Sequence, residues 1–273
     1  MAKTDMAGYF PDRELLRLLP RVLRARDFHL YLEGGQRLLD LWLQGGRAVL
    51  GHKPSRVLVE LKNAAERGLF TALPHPLEGR FLKALGELFP RRAFRLYQDF
   101  GSLCRALEEA GISCKTGESE ISLWRPFLED EESDKNTPFL IPVLPWPLGP
   151  SVLVLDKGMD AGFPPGELIA PVLLAPAARS LYDLAAALKG KKANRGSRRF
   201  FKIEKAITKS AWRRRGIYLT AEPGMDREKY EALFRLFLEG GFLIPPSPAE
   251  PLILPVSMSP GEESKLARLL GSC

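Results

Sequence analysis

The chain has 273 residues, 45% of them hydrophobic and 27% charged, with a formal charge of +7. That length suits two small domains or one large α/β domain and is enough to bury a core. No apolar run is long enough to span a bilayer, since LIAPVLLAPAA is broken by Pro171 and Pro176, and MAKTDMAGYFPDRE lacks the apolar stretch of a signal peptide, so a cytoplasmic protein with no membrane partner is expected.

Pro11 to Arg26 reads as a short amphipathic helix interrupted near Pro20, with Leu15, Leu16, Leu18 and Leu19 on its apolar side. FHLYLEGGQRLLDLW then predicts two short strands around Gly34-Gly35, a pair that tolerates positive φ. From Pro54 to Leu69 apolar residues recur at three and four, a helix opened by Pro54 and ended near Gly68. A second helix runs from Leu77 to Phe89, stopped by Pro90. FRLYQ (94–98) follows as a strand and Gly101 to Ala110 as a helix ended by Gly111. Further strands are expected at 139–144, 151–156, 216–221, 242–244 and 252–256, and helices at 177–188, 199–211, 226–239 and 260–270. This alternation argues for an α/β core followed by a smaller α+β piece.

The charge is local. Lys189 to Arg215 holds twelve Lys or Arg against Glu204 alone, a net +11, which leaves the rest of the chain at −4. With Phe200, Phe201 and Trp212 interleaved, the run could meet the phosphates of nucleic acid, but a solvated surface helix with flanking loops is the preferred reading. The run LEDEESDKN is its acidic counterpart, expected as a mobile loop. Cys104, Cys114 and Cys273 show no CxxC spacing and no neighbouring His, which supports neither a disulfide framework nor a zinc site. His29, His52 and His75 have no Ser, Cys or Asp partner at a triad spacing.

Several stretches occur together in one order: a strand-turn-strand ending in Leu39-Asp40, the Gly45-Gly46 loop, Gly51-His52 before Pro54, and Pro74-His75-Pro76 before a helix ending in Leu88-Phe89-Pro90. At the far end, FRLFLEGGFLIPPSPAEPLILPVSMSPGEESKLARLL closes with a helix opened by a Ser259-x-x-Glu262 cap. The collinear set resembles the class III aminotransferases, pyridoxal-phosphate enzymes of the fold type I group built as dimers. The resemblance implies a reduced, three-layer α/β core with a C-terminal α+β domain. We expect a hairpin segment at 1–53, the reduced large domain at 54–210 and the C-terminal domain at 211–273.

Pyridoxal phosphate asks three things of such a protein. Its phosphate needs N–H groups at a helix N-terminus, its pyridine nitrogen a carboxylate, and its aldehyde a lysine amine. The resemblance places Gly101 and Ser102 at the phosphate turn, although Phe100, Leu103 and Cys104 depart from the family's residues, and an ordinary helix start reads the same way. It places Asp156, at the end of SVLVLD, as the carboxylate, where a capping aspartate is the alternative. No lysine occurs from Glu167 through Leu188, where the family has its own, and Lys189 is the weak remaining candidate. Trp124 and Phe127 are the nearest aromatics for the ring. Two functions compete: an aminotransferase moving an amino group between an amino compound and a 2-oxo acid, or a degenerate, non-catalytic scaffold with an anionic partner at 189–215. The resemblance also implies a homodimer.

Overall fold

The computed structural model describes residues 12–114, 121–128, 137–193, 200–208, 210, 212–221 and 225–272. The acidic run at 129–134 and residues 194–199, 209 and 211 of the basic segment lie outside them. The chain divides into two units, one built within Pro54–Pro126 and Asp130–Ala193, the other within Ala7–Lys53, Phe127–Glu129 and Asn194–Cys273. The segment before residue 54, expected as a separate piece, thus shares a unit with the chain's end.

The first unit is layered around a sheet of order β4-β7-β6-β5, formed by Arg92–Tyr97 (β4), Ser151–Asp156 (β7), Phe139–Pro142 (β6) and Ile121–Trp124 (β5). Strand β7 is antiparallel to β4 and β6, whereas β5 is parallel to β6. Consequently β4, β5 and β6 run the same way and their carboxyl ends share one edge. Helices α2 (Ser55–Glu66), α3 (Pro76–Leu88) and α5 (Pro171–Ala193) cover one face. There Val57, Phe81, Leu85, Leu174, Ala177 and Leu181 pack against Leu96, Val152 and Val154. Helix α4 (Phe100–Glu109) packs on β4 and β7 from the other face, toward which alternation points Tyr97, Leu153 and Leu155. Its own buried stripe is Phe100, Leu103, Ala106 and Leu107, the spacing of an amphipathic helix.

The second unit holds a sheet of order β1-β2-β3-β10, formed by Val22–Arg26 (β1), His29–Leu32 (β2), Arg37–Asp40 (β3) and Phe242–Leu243 (β10). The β2–β3 hairpin turns at Gly34 and Gly35, with φ of 87° and 85°, as the glycine pair predicts. A second sheet, β11-β9-β8, comprises Leu252–Ile253, Tyr218–Ala221 and Trp212–Arg215. Helices α6 (Phe201–Ile207), α7 (Arg227–Glu239) and α8 (Pro260–Gly271) supply Ile203, Phe234, Phe237 and Leu266 to a core shared with Leu39, Phe242 and Leu254. The predicted cap of α8 is present: Ser259 Oγ accepts from Glu262 N–H at 3.2 Å, and Glu262 Oε2 accepts from Ser259 N–H at 2.8 Å.

Three expectations are corrected. The helix expected through Arg26 ends after α1 (Arg13–Arg17), and Val22–Arg26 is an edge strand because its backbone pairs with β2. The helix expected at 199–211 stops at Ile207, and Trp212–Arg215 extends to pair with β9. Cys104 and Cys114 are joined in a disulfide, contrary to the absence inferred from spacing, because the turn after α4 brings residues ten apart together. Among the described residues no helix is long and apolar enough to cross a membrane.

Candidate functional site

Open α/β sheets bind ligands beyond the carboxyl ends of their parallel strands. In the first unit that edge is formed by Tyr97 and the start of α4, by Trp124 and Arg125 after β5, and by the 143–150 connection after β6.

Gly101 and Ser102 stand there, in the first turn of α4. Asp99 caps the helix: its Oδ1 accepts from Ser102 N–H at 2.8 Å, and its carbonyl accepts from Leu103 N–H at 3.2 Å. A Cβ built on Gly101 would lie 3.2 Å from Asp99 Oδ1, so the carboxylate sits directly against this turn. Ser102 Oγ accepts from Arg105 at 2.8 Å. The protein's own anion therefore occupies one of the N–H donors that a bound anion would need.

Asp156 is at the opposite edge. The β4–β7 register pairs Arg92 with Asp156 and Tyr97 with Ser151, so five residue steps, about 17 Å, separate Asp156 from the Tyr97 end. There Asp156 Oδ1 meets Arg92 Nη1 at 2.9 Å. The strand-end rule for ligands holds for parallel strands, and β7 is antiparallel. Lys189 lies near the end of α5, its side chain 77% exposed and its ammonium 3.9 Å from Glu87 on α3. Gly101-Ser102, Asp156 and Lys189 are thus not brought together.

Sequence reasoning missed what does occupy the carboxyl edge. Arg125 is buried at the end of β5. Tyr97 is 2% exposed and Trp146 6%, and neither the phenol oxygen nor the indole nitrogen finds a hydrogen-bond partner among the described residues. Burial, outweighing the nearby Arg95, pushes the Tyr97 phenol up from its ordinary value. For Tyr97 and Arg125 the signal was available in principle, since Tyr97 ends an apolar strand and Arg125 directly follows one. The connections after β4 (98–99) and β6 (143–150) contain no lysine, and Lys135 in the connection after β5 lies outside the described residues; the described lysines of this unit are Lys62 on α2, Lys83 on α3, Lys157 after β7, and Lys189, Lys191 and Lys192 at the end of α5.

The histidines have structural partners. His52 Nε2 lies 2.9 Å from Asp40 Oδ2, while Asp40 Oδ1 accepts from the N–H groups of Trp42 and Leu43 at 2.8 and 2.9 Å. His29 Nε2 lies 2.8 Å from Glu262 Oε1, and His75 Nδ1 caps α3 by accepting from Leu77 N–H at 3.1 Å. The described cations of the basic segment are divided among elements. Lys202 reaches Ser264 on α8, Arg214 reaches Glu204 at 2.5 Å and lies over the Phe200 ring, and alternation turns Arg213 and Arg215 to the other face of β8. They do not form one stripe.

Two cavities are lined by other residues. One of about 480 Å³ in the second unit is bordered by Leu32, Arg37, Arg235 and Leu238. The other, about 410 Å³ in the first, is bordered by Phe94, Arg95, Asp160 and Phe163.

No protein-family profile matches the chain. It is 28% identical over 286 residues to an uncharacterized protein of Treponema pallidum, covering 89% of this chain and 91% of that protein. Glutamate-1-semialdehyde 2,1-aminomutase of Thermus thermophilus is 31% identical over 71 residues, which is 26% of this chain and 17% of the enzyme. Among solved structures, ornithine δ-aminotransferase of Plasmodium falciparum superposes with a TM-score of 0.63 at 12% identity, covering 92% of this chain and 91% of that one. Of the three requirements of that family's cofactor, the described carboxyl edge shows a helix start capped by Asp99 and no lysine, and Asp156 lies at the other edge. The fold is nonetheless that of the fold type I aminotransferases, and class III enzymes are among its structural neighbours.

Proposed function

We propose that this chain is a degenerate relative of the class III aminotransferases, one that keeps their scaffold without the lysine-linked cofactor and works as a non-catalytic binding or dimerising module. The observation that carries the reading is the absence of lysine from the connections after β4 and β6. Amino-group transfer in this family depends on a lysine amine that holds the cofactor aldehyde and moves protons at the reacting carbon. An arginine cannot substitute, because its guanidinium stays protonated and is not a nucleophile. Arg125 thus suits an anion better than a carbonyl. The Asp99 cap supports the same reading, since a phosphate at α4 would have to displace a carboxylate of like charge.

Homodimer formation and a cytoplasmic setting follow from the same likeness and form part of the proposal. An anionic partner at 189–215 is the less favoured version, because the described cations there are spread over α5, α6 and β8, with Arg214 paired to Glu204 and Lys202 bonded to Ser264.

Titrating the purified protein with pyridoxal phosphate, while recording its visible absorbance, tests the reading. A slow, unsaturated rise typical of surface lysines is expected. A saturable band at one cofactor per chain, together with formation of a 2-oxo acid from an amino donor, would overturn it.

A further inference from the structure

Helix α4 ends in a turn that folds the chain back along it. Gly111 takes φ +76°, donating from its N–H to Glu108 O at 3.0 Å, while Ile112 N–H donates to Leu107 O at 2.8 Å. These two bonds and the left-handed glycine make a Schellman cap. Its consequence is that Cys114 returns to Cys104, one helical turn in from the Ser102 end of α4, with Cα atoms 5.5 Å apart and the sulfurs bonded. That spacing lies within the range a disulfide requires.

We propose that Cys104 and Cys114 form a redox-sensitive clasp on α4, opened by small thiols and closed by small disulfides while the protein stays folded. Three observations carry this. Both cysteines are only half-buried, so an attacking thiolate can reach the bond. The turn that juxtaposes them has backbone hydrogen bonds of its own, separate from the S–S link. Helix α4 is anchored independently by Leu103 and Leu107, both fully buried, so its place on the sheet does not depend on the covalent link. A pair kept adjacent in the reduced state re-forms readily, and in a reducing compartment such pairs are transient rather than permanent.

Closure removes two protons and two electrons from the two thiols and forms one S–S bond. The electrons break the S–S bond of a glutathione-type disulfide, which leaves as two thiols. What the clasp governs is the exit of the chain from α4 at Cys114, from which it reaches β5 and delivers Trp124 and Arg125 to the carboxyl edge of the sheet. This inference is independent of whether a cofactor binds.

The test uses the full chain, equilibrated natively across ratios of reduced to oxidised glutathione, quenched by alkylation and mapped by peptide mass. Cys104 and Cys114 are expected to lose and gain the label together, with unchanged far-ultraviolet circular dichroism, while Cys273 does not pair with either. Amide exchange at 110–114 should be roughly tenfold slower in the oxidised form, and both Cys104→Ser and Cys114→Ser should abolish that difference. Independent labelling, pairing with Cys273, reduction only in denaturant, or equal exchange in the two redox states would each overturn the clasp. Two serine variants are used so that a folding defect in one leaves the other to decide.

Discussion

Asp40 and Asp156 each end a strand, in surroundings that could hardly differ more. Asp40 is 1% exposed and its carboxylate is fully engaged, by two backbone N–H groups and by His52. Asp156 is about half-exposed and holds a single ion pair with Arg92. The contrast extends to the units they belong to. In the one with the hairpin, the residues that the aminotransferase likeness marks are present with their partners: Gly34-Gly35, Asp40, His52 and the Ser259–Glu262 cap. In the layered unit, the positions that would carry chemistry have other roles: Asp99 closes α4, Asp156 binds Arg92, and Lys189 faces solvent near Glu87.

Substitutions separate the two kinds of position. Asp40→Ala leaves two buried N–H groups and His52 without their acceptor, and should lower unfolding stability in urea by about 3 kcal/mol. If it costs no more than a surface change, the contrast fails at its strongest point. Asp99→Ala removes the cap of α4 and should cost about 1 kcal/mol. Inorganic phosphate should then stabilise the variant more than the parent, by reaching the freed Ser102 N–H; equal phosphate effects would show that Asp99 does not guard this helix start.

A smaller effect is expected at Glu262. Burial works against its charge, but hydrogen bonds from His29 and Ser259 outweigh it and hold the carboxyl below its ordinary 4.5. The folded form therefore holds the proton less tightly than the unfolded one. Its contribution is present above about pH 4.5 and fades as pH falls through the lowered folded value. Glu262→Gln should flatten that acid limb in a pH series of thermal midpoints, and an unchanged limb would contradict the assignment. Smallest of all, Asp156→Ala should shift stability by about 0.5 kcal/mol, since Asp156 is half in water and the buried Arg92 keeps its bond to Thr137 O at 2.8 Å.

How far each feature was legible depended on whether its physics is local. Helices α2, α3, α4, α7 and α8 were readable because apolar residues at three and four, with caps and glycines at their ends, need no partner to be recognised. Strand β1 was not, because its residues are mostly exposed and it is held by backbone pairing rather than by an apolar alternation. Strand β8 was hidden inside WRRR, which reads as a charge run until Trp212 and Arg214 are seen turned inward. The start of α5 at Pro171 was missed because a second proline, Pro176, five residues on argues against a continuous helix. The misplacement of Asp156 has a single cause: strand direction is a long-range property, and one antiparallel strand moves a residue to the far edge. The capped α4 was legible as a helix, whereas the role of Asp99 in closing it required the side-chain geometry.

The most direct measurement is the intact mass of the chain after incubation with pyridoxal phosphate, borohydride reduction and peptide mapping. The account predicts substoichiometric, scattered labelling of exposed lysines and the same pattern after Lys189→Ala. One phosphopyridoxyl group per chain, fixed at a single lysine, would contradict it.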